Sequence, residues 1–152
     1  MNFLIVYPKH PFRIWNYERV LKYFSGMASF PPLTLLTLSS MLPRQWNKKL
    51  IDMNANDLND EDILWADYVL ISAKLTQAKS ANKVVERCKE LSAKTIACGS
   101  LFTSNDEYYK NVDHLIYDEA EIALPRFLND LSEGKAKQKY NSTNFSSITP
   151  AY

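Results

Sequence analysis

Residues 67–99 read DYVLISAKLTQAKSANKVVERCKELSAKTIACG, and this stretch decides the fold. Asp67–Ser72 and Lys94–Cys98 are short runs with apolar interiors, as expected of strands buried on both faces. Between them Ala78, Ala81, Val84, Val85, Cys88 and Leu91 fall on one stripe of a helix over Gln77–Leu91. Lys79, Lys83, Glu86, Arg87 and Glu90 lie outside that stripe. A strand, an amphipathic helix and another strand make a parallel pair covered by the helix. Working outward, Phe3–Tyr7 is a further buried strand, stopped at Pro8. Lys49–Met53 is another, and His114–Tyr117 a weaker fifth. Pro31-Pro32 opens a helix whose residues Leu33, Leu35, Leu36, Leu38, Met41 and Leu42 are apolar over a broad surface before Pro43 ends it. Such a helix is expected to be almost wholly buried. Asn59 or Asp60 caps a short turn through Ile63, Leu64 and Trp65. A last helix runs from Asp118 to Leu131, with Ile122, Leu124, Phe127, Leu128 and Leu131 inward and Gly134 suited to its C-terminal cap. The class is α/β.

The chain has 152 residues, 46% of them hydrophobic and 23% charged, with a formal net charge of +1. That is one ordinary globular domain, large enough to hold a single core without staples. Near-neutral charge gives no field that would recruit nucleic acid or an anionic membrane, and no apolar run approaches the roughly 20 residues needed to cross a bilayer. The opening Met1-Asn2-Phe3-Leu4-Ile5-Val6-Tyr7 lacks the basic start and small-residue cleavage site of a secretory signal, so the expected location is cytoplasmic. Cys88 and Cys98 stand too far apart for a CxxC pair, which indicates neither a disulfide scaffold nor a zinc site.

Two segments interrupt the alternation. Residues 8–30 join the first strand to its helix over a far greater length than the usual two to six or so residues, and they carry Phe12, Trp15, Tyr17, Tyr23, Phe24 and Phe30. Asn16–Phe24 has the spacing of a short amphipathic helix. This aromatic segment is either a satellite cluster under a long loop or a lid over a large flat apolar ligand. Residues 135–152 are rich in Lys, Gln, Asn, Ser and Thr and read as a polar linker following a domain over residues 1–134.

In a parallel sheet, ligands bind where the strands end. With three glycines in the chain, no GxGxxG, P-loop or flavin-type phosphate loop follows the first strand. Pro8-Lys9-His10 and Ser72-Ala73-Lys74 also lack the acidic residues of a phosphoacceptor site. His10 and His114 are the only histidines, Cys88 lies on a buried stripe, and Glu119 and Glu121 suit the positive end of a helix. No acid, base or nucleophile group emerges, and no catalytic residue or metal ligand is expected on this chain.

The phrases that remain resemble a family. Leu4-Ile5-Val6-Tyr7-Pro8, Phe30-Pro31-Pro32-Leu33-Thr34-Leu35-Leu36, Leu50-Ile51-Asp52, Ala66-Asp67-Tyr68-Val69-Leu70-Ile71-Ser72, Ala97-Cys98-Gly99-Ser100-Leu101-Phe102-Thr103 and Asp118-Glu119-Ala120-Glu121 stand in one order over almost the whole chain. That order resembles the N-terminal cobalamin (B12)-binding domain of cobalamin-dependent radical S-adenosylmethionine enzymes, nearest the hopanoid-type methyltransferase subgroup. The resemblance implies a flavodoxin-like, Rossmann-like three-layer sandwich with a five-stranded parallel sheet of order 2-1-3-4-5. It also implies a corrin ring flat on the carboxyl edge of the sheet, with its nucleotide tail beside the loops after the third and fourth strands. On that basis Ser72, Ala73 and Leu75 would line the tail, Gly99 and Ser100 would admit it to the backbone, and Glu119 would sit beside the last loop. Pro8, His10, Lys74, Leu101 and Asp118 complete the implied cofactor-binding set.

Three positions depart from the family pattern, in which Cys98, Asp118 and Thr34 would be glycines, and each added Cβ takes up room. The DxHxxG signature that supplies a cobalt ligand is absent, as it is in many relatives. So is the cysteine triplet of an iron–sulfur cluster. The cluster and S-adenosylmethionine are therefore expected only in a separate radical catalytic domain, joined in cis or met in trans, and this chain is not expected to be catalytic alone. The alternative is a cofactor-free, degenerate domain acting as a protein-interaction or regulatory module.

Overall fold

A computed structural model of the chain describes residues 1–11, 33–117 and 119–141. The aromatic segment from Phe12, the helix expected over Asn16–Phe24, Pro31-Pro32, Asp118 and the end of the polar tail lie outside the described residues. Within them the order is β1 (Asn2–Tyr7), α1 (Leu33–Met41), β2 (Asn47–Asp52), α2 (Asp60–Trp65), β3 (Tyr68–Ser72), a 3₁₀ turn (Leu75–Gln77), α3 (Ala78–Glu90), β4 (Lys94–Cys98), α4 (Ser100–Ser104), β5 (His114–Ile116), α5 (Ala120–Ser132) and β6 (Lys139–Tyr140).

All the strands pair in parallel, in the order β2-β1-β3-β4-β5-β6. In register, Ile5 stands between Leu50 and Leu70, and Leu70 beside Ile96. Because side chains alternate across a strand, the central strands bury both faces. Leu4, Val6, Val69, Ile71, Ala97 and Leu115 face one core, filled by Ile63 of α2, Ala81, Val84 and Cys88 of α3, and Leu101 and Phe102 of α4. Phe3, Ile5, Leu70, Ile96 and Ile116 face the other, with Leu35 and Leu38 of α1 and Ala123, Leu124 and Phe127 of α5. Helices thus cover both faces in a Rossmann-like α/β arrangement.

The structure corrects the sequence reading in four places, the last being Ile122, which stands exposed on α5 rather than inward. Among the described residues the sheet has six strands rather than five, because Lys139–Tyr140, inside the stretch that reads as linker, pairs with β5. Its anchor is Tyr140, whose ring meets Phe127 edge-on at 5.4 Å and whose hydroxyl donates to Asp130 at 2.9 Å. Gly134, at φ +69°, turns the chain out of α5 toward that strand, filling the capping role its position suggests. The second correction concerns α1, which is not almost wholly buried. Leu35 and Leu38 are sealed, but Leu33 is 74% and Leu36 50% exposed. The third is α4, a five-residue helix where the sequence offers no helical period.

Candidate functional site

β1 leads toward α1 on one face of the sheet, whereas β3, its neighbour, leads into α3 on the other. The connections therefore part between the carboxyl ends of β1 and β3, which is where such sheets open a crevice. The chain around this point is laced together by polar side chains. Gln77, only 1% exposed, donates its amide to the Pro8 carbonyl oxygen and accepts from the Lys74 N–H at 2.8 Å. The Lys9 N–H donates to Ser80 Oγ at 2.9 Å, and the His10 N–H to Asn54 Oδ1 at 2.9 Å. Asn54 in turn is fixed by Asp52, whose Oδ1 accepts from its backbone N–H and its side-chain amide. The His10 ring meets Tyr7 edge-on, with Nε2 3.1 Å from the tyrosine hydroxyl. Burial, then the nearby Asp52 charge, raises the Tyr7 phenol above its ordinary value, so it stays neutral at physiological pH.

The ends of β3 and β4 meet more closely. The Ala73 N–H donates to the Cys98 carbonyl at 3.1 Å, and the Leu101 N–H to the Ala73 carbonyl at 3.2 Å. Gly99 lies between them at φ +99°, and a Cβ there would come within 2.5 Å of the Ala73 oxygen. Its freedom thus serves a contact between two loops of the protein itself. Ser72 and Cys98 are buried and stand opposite each other in the β3–β4 register.

Of the residues expected to hold a cofactor, Pro8, Ser72, Ala73 and Leu101 are buried, His10 and Gly99 half-buried, and Lys74, Leu75, Ser100 and Glu119 exposed. The structure joins Pro8 to Lys74 through Gln77, and Ala73 to Gly99 and Leu101 through the backbone. Glu119 stands apart, before α5, and Asp118 lies outside the described residues. Gln77, Asn54 and Ser80 were missed by the sequence reading. Asn54 alone had a usable signal, since it follows Asp52 at the end of a strand.

Burial pushes both thiols up to about 12 from an ordinary value of 9.0. Neither thiol is a nucleophile at neutral pH. Such a thiol keeps its proton in the folded chain after the unfolded chain has lost it. Stability is therefore intact below about pH 9 and falls as pH rises from there toward 12. The raised Tyr7, Tyr109, Tyr117 and Tyr140 act in the same sense at still higher pH. Urea unfolding should show a flat stability from pH 7 to 8.5 and a loss on the order of 1 kcal/mol per thiol by pH 10. The Cys88→Ala/Cys98→Ala variant should lose that slope; an unchanged slope would contradict the assignment.

No protein-family profile and no solved structure matches this chain. Over 140 residues, 89% of this chain, it is 36% identical to a Synechocystis sp. protein named as an uncharacterized methyltransferase. This chain resembles part of a methyltransferase. It is also 25% identical over 127 residues to the bacteriochlorophyllide d C-12(1)-methyltransferase of Chlorobaculum tepidum. The matches cover 26% and 27% of these methyltransferases, so the chain spans about a quarter of their length. Among the described residues no group of three or more His, Cys, Asp and Glu could hold a metal ion, and no helix is long and apolar enough to cross a membrane.

Proposed function

We propose that this chain is the cofactor-carrying module of a methyl-transferring enzyme, and that the cofactor is cobalamin. The observation that carries the reading is the rim at the carboxyl ends of β3 and β4. There Lys74, Leu75, Thr76 and Ser100 stand exposed around a junction too tight for any side chain at residue 99. Two exposed hydroxyls, an ammonium group and an apolar leucine are suited to a flat ring edged with amides, which needs both apolar contact and hydrogen-bond partners. The methyltransferase relatives give the reading its reaction class. When bound, cobalamin supplies a cobalt that can carry a methyl group.

The part of the chain is to bind and orient. Leu75 would lie under the ring, and Lys74, Thr76 and Ser100 would hold its amides. The loops after β1, β2 and β3 are kept in place by Gln77, Asn54 and Ser80. The iron–sulfur cluster and S-adenosylmethionine would belong to a radical domain in cis or in trans. A second reading, a cofactor-free interaction module, is favoured by the burial of Ser72, Ala73, Cys98 and Leu101, which leaves the protein itself filling part of the implied tail site.

Mixing the chain with hydroxocobalamin, desalting it and recording the visible spectrum separates the two. Retained corrin bands near one equivalent are expected, and Leu75→Asp should weaken retention about tenfold, the equivalent of 1.4 kcal/mol. A colourless protein would refute the cobalamin reading and leave the interaction module.

A further inference from the structure

Beside the rim, between the loop after β1 and the start of α3, lies a cavity of about 310 Å³ lined by Lys9, His10, Pro11, Met53, Thr76, Lys79, Ser80 and Lys83. We propose that it binds an organic phosphate ester, with the phosphate among Lys9, Lys79 and Lys83 and the organic part against Met53 and Pro11.

Three ammonium groups stand around the cavity with no counter-charge in its lining. No acidic residue lines the cavity, and among the described residues none of the ammonium groups of Lys9, Lys79 and Lys83 has an ion pair or hydrogen bond. Lys79 and Lys83 are four residues apart on α3, so their charges stand over the same face and repel. Lys79 also occupies the first turn, where the helix dipole disfavours a cation, and that turn has no acidic residue to offset it. Farther along the same helix Arg87 is paired with Asp60 and Glu90. Arg87 is thus compensated, whereas Lys79 and Lys83 beside the cavity are not.

Ser80 places a hydroxyl side chain among these lysines, and phosphate oxygens accept from both kinds of donor. The Ser80 oxygen already accepts from the Lys9 N–H, which leaves its own O–H free to donate outward. Met53 and Pro11 supply an apolar wall that inorganic phosphate would not use. The volume is at the lower end of small-molecule sites, which suits a phosphate on one modest organic group.

The inference does not rest on cobalamin. Phenyl phosphate, inorganic phosphate and phenol can each be titrated calorimetrically into the corrin-free chain at one fixed, moderate salt concentration, because exposed charges are screened. Phenyl phosphate should saturate one site with a Kd of about 1 mM or tighter, several-fold tighter than inorganic phosphate, and phenol should not bind. Lys79→Gln/Lys83→Gln alters exposed side chains and should leave folding intact while weakening phenyl phosphate about tenfold or more. The same variant should take up hydroxocobalamin as the parent does. Absence of saturable phenyl phosphate binding, equal binding of inorganic phosphate, or an unaffected variant would each overturn the assignment. Loss of corrin uptake in the variant would overturn it too, by making the cavity part of the cobalamin seat.

Discussion

Gly99→Ala should lower stability by about 3 kcal/mol, with an unchanged dependence on denaturant, and reduce the Tm by roughly 6–12 °C in a chain of this size. Two costs combine. At φ +99° and ψ 170° the residue occupies a region that is essentially glycine's alone, at about 1–3 kcal/mol for any other residue. The new Cβ would also sit 2.5 Å from the Ala73 oxygen. Ala73 cannot simply withdraw, because its N–H and C=O are both tied across the junction, to Cys98 and Leu101. Crowding a packed site in this way costs about 1–3 kcal/mol more. Gly134→Ala supplies the control. Its φ is also positive, at +69°, but nothing lies within 4 Å of the added atom, so only the conformational cost of about 1–2 kcal/mol remains. Equal losses in the two variants, measured by urea unfolding, would show that the Ala73 contact costs nothing.

The same junction shows how far the sequence could be read. The β3–α3–β4 unit is legible because its signals are local. Apolar runs mark the strands, an apolar stripe marks the helix, and β4 lies at Lys94–Cys98 as its composition suggests. β6 is hidden because two residues in a polar stretch have no period, and their stability comes from Tyr140 packing on Phe127, a contact no local pattern announces. In α1 the leucines outnumber the places that the sheet can cover, so composition suggests burial where the structure leaves Leu33 and Leu36 outside. At the candidate site, the family resemblance, rather than position after a strand alone, pointed to Ser72, Ala73, Gly99 and Ser100. Glycine at residue 99 reads from sequence as room for a ligand, whereas the structure uses that room for the protein's own backbone. Gln77 was invisible for a related reason. A glutamine at the start of an amphipathic helix looks solvent-facing, and its burial depends on the loop at Pro8, far away in sequence.

Gln77→Leu tests that buried link and should cost about 2–4 kcal/mol. The replacement keeps most of the volume, so the loss is chiefly polar. It leaves the buried Pro8 carbonyl and the part-buried Lys74 N–H without their partner, and a buried group so stranded costs about 1–3 kcal/mol. The damage should be concentrated at the rim, because Gln77 is what fastens the loop after β1 to the turn after β3. Amide hydrogen exchange should therefore quicken at Lys9, His10 and Lys74 well before it does in β3 and β4. Gln77→Glu gives a sharper reading, because the glutamate can still accept from Lys74 but, when ionised, sets a negative charge against the Pro8 oxygen. Burial and that oxygen both favour the protonated acid, which can donate to Pro8, so its pKa in the folded chain rises. A carboxyl raised in this way contributes stability at pH values below its unfolded pKa of about 4.3 and loses it as pH climbs through the folded value. Relative to Gln77→Leu, which carries the same acid-sensitive background, Gln77→Glu should gain stability on going from pH 7 to pH 4.5. If the difference between the two variants does not change with pH, residue 77 does not face the Pro8 carbonyl and the rim is held together in some other way.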